Sequence, residues 1–280
     1  MPRNFLERSC SDWVRAGPPA HGVQLLRAWF AGAAFDRHRH DTYAVGLTES
    51  GVQCFGYRGT SHASTPGEVL VLHPDELHDG HAGTEQGFGY RIVYVDPARV
   101  AQAARDIAGR PCALPFVRRP VLRSARLARA IRGAFASEPR PLAADSIVLH
   151  FAEALMEEAG EPALEARVDV AAVERAREYL NSRTASVVHS SELEAISGLS
   201  RFELARQFRA QLGTSPYRYS LMRRLDLVRE RLGGPRPVVD LALEAGFSDQ
   251  AHFTRLFKGA FGITPGRYAK LTGHVRAHRA

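Results

Sequence analysis

Two patterns of apolar and polar positions divide the chain. In the first part, short apolar runs occupy residues 23–30, 43–47, 52–57, 69–72 and 90–95, separated by turn-forming stretches such as Glu49-Ser50-Gly51, Arg58-Gly59 and Thr65-Pro66-Gly67. Several short strands at this spacing predict a β-sandwich or barrel. Residues 99–107, 122–135 and 143–158 then carry apolar positions three and four apart, which predicts helices. The stretch 146–156 is the most apolar of these. It packs on its own barrel or supplies a seam between two copies. Residues 160–166, with Pro162 and several glutamates nearby, read as a linker.

The last third repeats itself. LSRFELARQFRAQLGTSPYRY, residues 199–219, is answered by FSDQAHFTRLFKGAFGITPGRY, residues 247–268. At an offset of 49, Leu204 pairs with Phe253, Arg206 with Arg255, Phe208 with Phe257, Leu212 with Phe261, Gly213 with Gly262, Pro216 with Pro265 and Tyr219 with Tyr268. Upstream the offset is 48, pairing Leu193, Gly198, Leu199 and Ser200 with Leu241, Gly246, Phe247 and Ser248, so one residue separates the two copies in length.

Each copy predicts two short helices around a tight turn. Ser191 with Glu194, and Ser200 with Glu203, have capping-box spacing, and Gly198 and Gly246 sit where the chain must turn. The second helix of each copy has an apolar stripe, Leu204-Phe208-Leu212 and Phe253-Phe257-Phe261. Its opposite face presents Arg201, Phe202, Ala205, Arg206 and Arg209, or Gln250, Ala251, Thr254, Arg255 and Lys258. This is the layout of a helix-turn-helix whose second helix enters the DNA major groove. Between the copies, Pro216 opens a helix carrying Leu221, Leu225, Val228 and Leu232, and Gly233-Gly234-Pro235 stops it. A helix of about 16 residues rises roughly 24 Å, a stiff spacer between two reading helices.

Charge agrees with that layout. Residues 1–164 hold 18 Lys+Arg and 18 Asp+Glu, whereas residues 165–280 hold 19 and 12, so the whole excess of 19 − 12 = +7 lies with the repeat. A basic surface raises affinity for phosphates without itself reading sequence. Arg218, Arg223 and Arg224 could contact phosphate or simply solvate the linker helix. Cys10, Cys54 and Cys112 are widely spaced and odd in number, which suits reduced thiols. The N-terminal residues lack the apolar run of a signal peptide, and no stretch approaches the length of a membrane span. These features predict a cytoplasmic protein with no membrane partner.

The run A-x-x-x-G-F-S-D-Q-x-H-F-x-R-x-F-K-x-x-F-G-x-T-P-x-x-Y ends a segment, residues 169–268, that resembles the DNA-binding domain of AraC/XylS-type transcription regulators. Glu194 and Ser197 depart from that family, which usually has small residues there. The segments His38-Arg39-His40 and PGEVLVLHPDELH, residues 66–78, resemble the cupin-type sensory barrel found at the N-terminus of such regulators. The resemblance implies an α+β chain. An N-terminal cupin-like β-barrel with following helices, residues 1–165, binds an effector and dimerises. An all-α domain of two helix-turn-helix units joined by a long helix, residues 166–280, binds a bipartite double-stranded DNA site. It further implies a homodimer that works with RNA polymerase, with activation the commoner behaviour of the family.

Candidate base readers are Arg201, Phe202 and Arg206 in the first unit and Gln250, Ala251, His252 and Arg255 in the second. Phe202 could equally be buried, and His252 is the weakest of the set. Six of the 12 histidines fall within 44 residues, and His38, His40, His73, His78 and His81 are the candidates among them. Enzymatic cupins use His-x-His, a nearby Glu and a later His to hold a metal. Here Ala44 and Val45 occupy the places where the Glu would fall. The expectation is therefore no metal, no cofactor and no catalytic residue, with His38, His40, Tyr43, His78 and Arg91 facing an effector and Tyr57 as a companion. A metal-dependent cupin enzyme with a nucleic-acid-binding tail is the alternative.

Overall fold

A computed structural model describes residues 12–136, 140–160 and 168–276. The residue 165/166 domain boundary, most of the expected linker and Cys10 lie outside them. Nine strands come first: β1 (Trp13–Ala16), β2 (Val23–Phe30), β3 (Ala33–His38), β4 (Tyr43–Gly51), β5 (Gln53–Tyr57), β6 (Thr60–Ser64), β7 (Val69–Leu72), β8 (His78–Ala82) and β9 (Phe88–Val95). Then follow α1 (Pro97–Ala108), a short β10 (Val121–Leu122), α2 (Ala125–Ala134) and α3 (Pro141–Ala159). Leu122 therefore belongs to a strand that pairs with β7, and the helix expected from it starts three residues later, at Ala125, capped by Ser124.

The strands form two sheets, ordered β1-β2-β9-β4-β7-β10 and β3-β8-β5-β6. They are layered face to face as a double sheet rather than a closed barrel. The larger sheet is covered on both faces. Tyr43, Val45, Leu47, Val93 and Val95 pack against α1, α2 and α3. Ala44, Leu26, Ala28, Phe30, Phe88, Tyr90 and Ile92 face the smaller sheet. Double coverage explains why β4 reads as an unbroken apolar run. The strands β3, β6 and β8, which the apolar pattern did not predict, are half exposed and polar.

The second part holds α4 (Val170–Ser182), α5 (Ser190–Ser197), α6 (Arg201–Leu212), α7 (Pro216–Arg229), α8 (Val238–Glu244), α9 (Gln250–Phe261) and α10 (Pro265–Arg276). Both repeat copies form as expected: α5-turn-α6 and α8-turn-α9, with α7 between them. Gly198 and Gly246 take φ of 76° and 78° at the two turns, and Ser200 and Asp249 cap α6 and α9 through their side chains. The Ser191–Glu194 cap does not form. Glu192 accepts from the His189 N–H at 2.8 Å instead, and Glu194 reaches across the turn to accept from the Arg201 N–H at 2.7 Å. Each stripe is buried, Leu204, Phe208 and Leu212 with α4 and Phe253 and Phe257 with α7 and α8. Among the described residues no helix is long and apolar enough to cross a membrane.

The two parts are packed together. Ile263 and Leu271 join the apolar cluster between the sheets, and Ala98 of α1 joins the core around α6. The paired glycines of the repeat lie on this boundary, each closing a reading helix with φ near 70°. A Cβ on Gly213 would stand 2.7 Å from Pro74 Cβ, and one on Gly262 would stand 2.7 Å from His38 Nδ1 and 2.8 Å from the Asp36 carbonyl oxygen. Gly262→Ala should therefore suffer both a strained backbone and a clash with β3, costing about 1–3 kcal/mol. Urea unfolding of the variant beside wild type measures this, and an unchanged midpoint would refute the close contact.

Candidate effector pocket and DNA-reading face

Strand β3, the turn after it and strand β8 bring three histidines into one cluster. His38 and His78 are cross-strand partners, and His40 follows in the turn. All three rings are buried, and one nitrogen of each lies within 4.8 Å of a nitrogen of the others. Their Nδ1 atoms are engaged by backbone carbonyls: His38 with Asp36 at 2.8 Å, His40 with Thr42 at 3.0 Å and His78 with Glu76 at 2.9 Å. A carbonyl can only accept, so the proton sits on Nδ1 and Nε2 keeps its lone pair. Burial depresses all three, the neighbouring rings adding to the effect for His38 and His40. His78 falls to about 4, so the cluster is neutral at pH 7.

These rings line a cavity of about 170 Å³. Tyr90, Ile92, Tyr94 and Gln53 supply its sheet walls, while Tyr219, Met222, Phe261, Ile263 and Tyr268 come from the helical part. The Gln53 side-chain oxygen is buried there with no hydrogen-bond partner. Tyr94 meets His40 edge to face at 5.3 Å. The pocket is thus a shared site, walled by both parts of the chain.

Ion pairs fasten the same boundary. Arg223 donates to Asp41 at 2.8 Å and lies 3.2 Å from Asp226, which also pairs with Arg229 at 2.9 Å. Burial pushes the Asp41 carboxyl up to about 6, opposed by Arg223. Desolvation lowers Arg223, but the acids around it outweigh that and hold it firmly charged. Arg218 sits 3.6 Å from Asp75 and donates to the Arg39 carbonyl at 2.5 Å. Arg224 bonds the carbonyls of Ala245 and Gly246. Arg218, Arg223 and Arg224 of the linker helix are therefore internal fasteners in this conformation, and neither solvate the helix nor face outward to phosphate.

Two of the five expected effector residues lie elsewhere. Tyr43 is buried on the helix-covered face and donates to the Pro115 carbonyl at 2.8 Å. Arg91 is on that same face, 2.6 Å from Glu49 and over the ring of Phe135. Both miss the cavity by strand parity, since a one-residue change of register exchanges the two faces. Their neighbours Thr42, Tyr90 and Ile92 line it instead. Tyr57 is held by His73, its hydroxyl 3.0 Å from Nδ1, and His73 Nε2 accepts from the Val117 N–H at 3.0 Å. Burial lowers His73 to about 3, and it acts as a structural pin away from the cluster. His81 is exposed.

On the reading helices, Arg201, Phe202, Arg206, Gln250, Ala251 and Arg255 are exposed, Phe202 at 81%. Phe202 is therefore not buried against the preceding helix. His252 is half-buried, its Nδ1 3.0 Å from Ser248 Oγ and its ring against Phe247, a place that serves the turn. The C-terminal ends of both helices meet the sensory part. Arg209 lies 4.0 Å from Asp75, and Lys258 lies 2.7 Å from Asp36. Asp36, Asp41 and Asp75, which sequence reasoning did not single out, are the acceptors of this contact. Their nearness to the histidine motifs was the available signal.

Residues 21–157 match the AraC-like ligand binding domain family, and residues 193–271 match a helix-turn-helix domain family. The transcriptional regulator YbfI of Bacillus subtilis (strain 168) is 28% identical over 224 residues, covering 78% of this chain and 81% of that one. The transcriptional activator RhaS of Klebsiella pneumoniae (strain 342) is 27% identical, covering 83% and 87%. The fold is similar to that of ToxT from Vibrio cholerae strain SCE256 crystallised with an unsaturated fatty acid, with TM-score 0.61, 12% identity, and coverage of 96% and 99%.

Asp41→Ala should loosen the boundary without orphaning Arg223, which keeps Asp226. The expected loss is about 1–3 kcal/mol, below the roughly 3–5 kcal/mol of a fully unpaired buried charge. Hydrogen exchange should quicken in α7 and at the start of β4 while β2 and β9 stay protected. Unchanged exchange in α7 would show that the pair does not hold the parts together.

Proposed function

The chain belongs to the AraC-type family of helix-turn-helix transcription regulators, and on that premise we propose that each copy reads a bipartite DNA site under control of a compact effector held between its two parts. The ligand-binding and DNA-binding domains are arranged so that one pocket is walled by both. The reading rests chiefly on the exposure of the N-terminal turns of α6 and α9 while their C-terminal ends face the sensory part. The N-terminal turn is the part of a recognition helix that reaches base edges. Arg201, Phe202 and Arg206 then serve one block, and Gln250, Ala251 and Arg255 the other, with His252 shaping the turn.

The domains divide near residues 165 and 166, and the protein works in the cytoplasm. Two copies pair through the outer face of α3, where Leu142 is 82% and Leu149 42% exposed. The dimer acts in contact with RNA polymerase and as an activator, the latter in analogy with the name of the Klebsiella relative. In the cavity, His38, His40 and His78 define one wall, and the Gln53 oxygen accepts a bond from the effector. A dry cavity of about 150 Å³ holds benzene, so 170 Å³ suits a molecule of single-ring size better than the fatty acid of the Vibrio protein.

Selection of the full chain against a random duplex pool tests the DNA reading. A two-block motif is expected. Arg206→Ala should relax one block and Arg255→Ala the other, each at a cost of about 1–3 kcal/mol. Salt-sensitive binding with no enriched motif would overturn the assignment and leave only a basic scaffold.

A further inference from the structure

We propose that the first helix-turn-helix unit holds a second small-molecule site, separate from the pocket between the two parts of the chain, which takes a compact amphipathic anion with an apolar body and a carboxylate head. Binding there depends neither on the effector reading nor on DNA recognition. The site is a cavity of about 350 Å³, about twice the volume of the effector pocket.

Four helices and one connecting segment supply its apolar walls. Leu180 lies on α4, Leu193 on α5, Leu204 on α6 and Leu221 on α7, with Val187 and Val188 between α4 and α5. Small-ligand pockets are mostly apolar, carry a few polar groups and span roughly 300–1,000 Å³. Val187 at 72% and Tyr217 at 73% exposure are among the lining residues, so apolar surface continues from the cavity to the outside. Contiguous exposed apolar surface of this kind marks a binding groove, whereas single scattered residues do not.

The polar groups select the sign of the ligand. Arg201 and Arg224 line the cavity, and among the described lining residues none is acidic. Arg223 and Arg229, on the same helix as Arg224, are each held by a carboxylate. Among the described residues Arg224 is bound only by neutral groups. It donates to the Ala245 carbonyl at 2.8 Å and to the Gly246 carbonyl, and it lies over the Phe247 ring. Burial lowers it from the ordinary arginine value, and the group that offsets burial is the Tyr217 phenol, not a carboxylate. A half-buried charge without a counter-ion is costly, and an entering carboxylate supplies one. Arg201 adds a second positive charge. Its partner Glu194 is outside the lining, 3.6 Å from Nε, and an exposed pair of that kind is weak.

The location gives such a ligand a consequence. A Cβ on Gly246, the turn glycine of the second unit, would stand 2.9 Å from the Ala185 carbonyl oxygen and 3.2 Å from Arg224 Nη2. The two units therefore meet beside the cavity, and the arginine that pairs with the anion also holds the second unit's turn. Occupancy acts on how the two reading helices are set relative to each other.

Isothermal titration calorimetry of the full chain with indole-3-acetate tests this, beside tryptophol and tryptamine, which carry the same two-ring body with a neutral and a cationic end. One variant-sensitive site per chain is expected, with a Kd of about 1 mM or tighter for a ligand of this size. Both comparators should bind at least about tenfold more weakly, because the charge-assisted bond is lost. Arg224→Met should weaken indole-3-acetate by about tenfold or more. Val187→Glu, which places an acid on an exposed lining residue, should weaken it by about threefold or more and favour tryptamine. Circular dichroism establishes that each variant is folded, and Val187→Glu decides alone should Arg224→Met misfold. Inorganic phosphate, an anion with no apolar body, should not displace the ligand. Absence of saturable binding, equal binding of tryptamine, or folded variants that bind as wild type does would overturn the proposal. So would displacement by phosphate at equal concentration, which points to a seat for the DNA backbone instead. DNA selection is decided separately and is untouched by these results.

Discussion

The edge of strand β3 is where the two parts of the molecule are joined. β3 ends its sheet, and the outer edge of such a strand exposes backbone donors that need covering. A helix, in turn, ends with carbonyls that lack partners. Each supplies what the other lacks: the Asp36 N–H donates to the Gly262 carbonyl at 2.8 Å, and the Arg39 N–H donates to the Gly259 carbonyl at 3.2 Å. The contact works only because Gly262 has no side chain in that gap. Around it, residues 36, 39 and 41 engage the helical part through Lys258, Arg218 and Arg223, while His38 and His40 face the cavity. One short segment carries both the cavity-lining histidines and the hold on α9.

How much of this was legible in the sequence follows from range. The helix-turn-helix units were readable because the chain states them twice, and each signal is local: a cap, a turn glycine, a stripe. The inner strands β2, β4, β7 and β9 of the larger sheet were readable because both faces of that sheet are covered. β3, β6 and β8 were not, since a strand with one wet face and histidines on the other lacks an apolar run. Thr60-Ser61-His62-Ala63-Ser64 looks like loop until Gln53–Tyr57 pairs with it. The histidine cluster was visible as composition, but its membership was not. His73 lies as near to His78 in sequence as an actual member would, yet the fold sends it to Tyr57 and Val117.

Tyr43 and Arg91 show a sharper limit. Alternation reveals that a strand has two faces and leaves open which of them meets the pocket. When both faces are covered, polarity does not mark the difference, and an assignment made by parity fails for every residue on that strand together. The boundary between the parts was hidden for a different reason. Its strongest links join residues about 180 positions apart, as Arg218 to Arg39 and Arg223 to Asp41 do, and two run backbone to backbone. Such bonds leave no residue type to recognise.

An effector in this cavity can shift DNA binding only by the difference in its affinity for two arrangements of the parts. A pocket walled by one domain alone would have to transmit that difference through its own distortion. Here the helical part contributes Tyr219, Met222, Phe261 and Tyr268 to the wall, so a change in their docking changes the site directly. The hold is moderate in strength: Arg218 meets Asp75 at 3.6 Å, too long for a hydrogen bond, and both the Arg218 Nε and one Asp75 oxygen are buried without one. A shift from mostly closed to mostly open requires about 5.5 kcal/mol of differential binding when it runs from 1:99 to 99:1. A boundary fastened by charged bonds, two backbone links and a modest apolar contact through Ile263, Leu271 and Ala98 can be moved on that scale, whereas a fully apolar one of the same extent would resist it. The imperfect pairing at Arg218 therefore fits a regulator better than tight packing would.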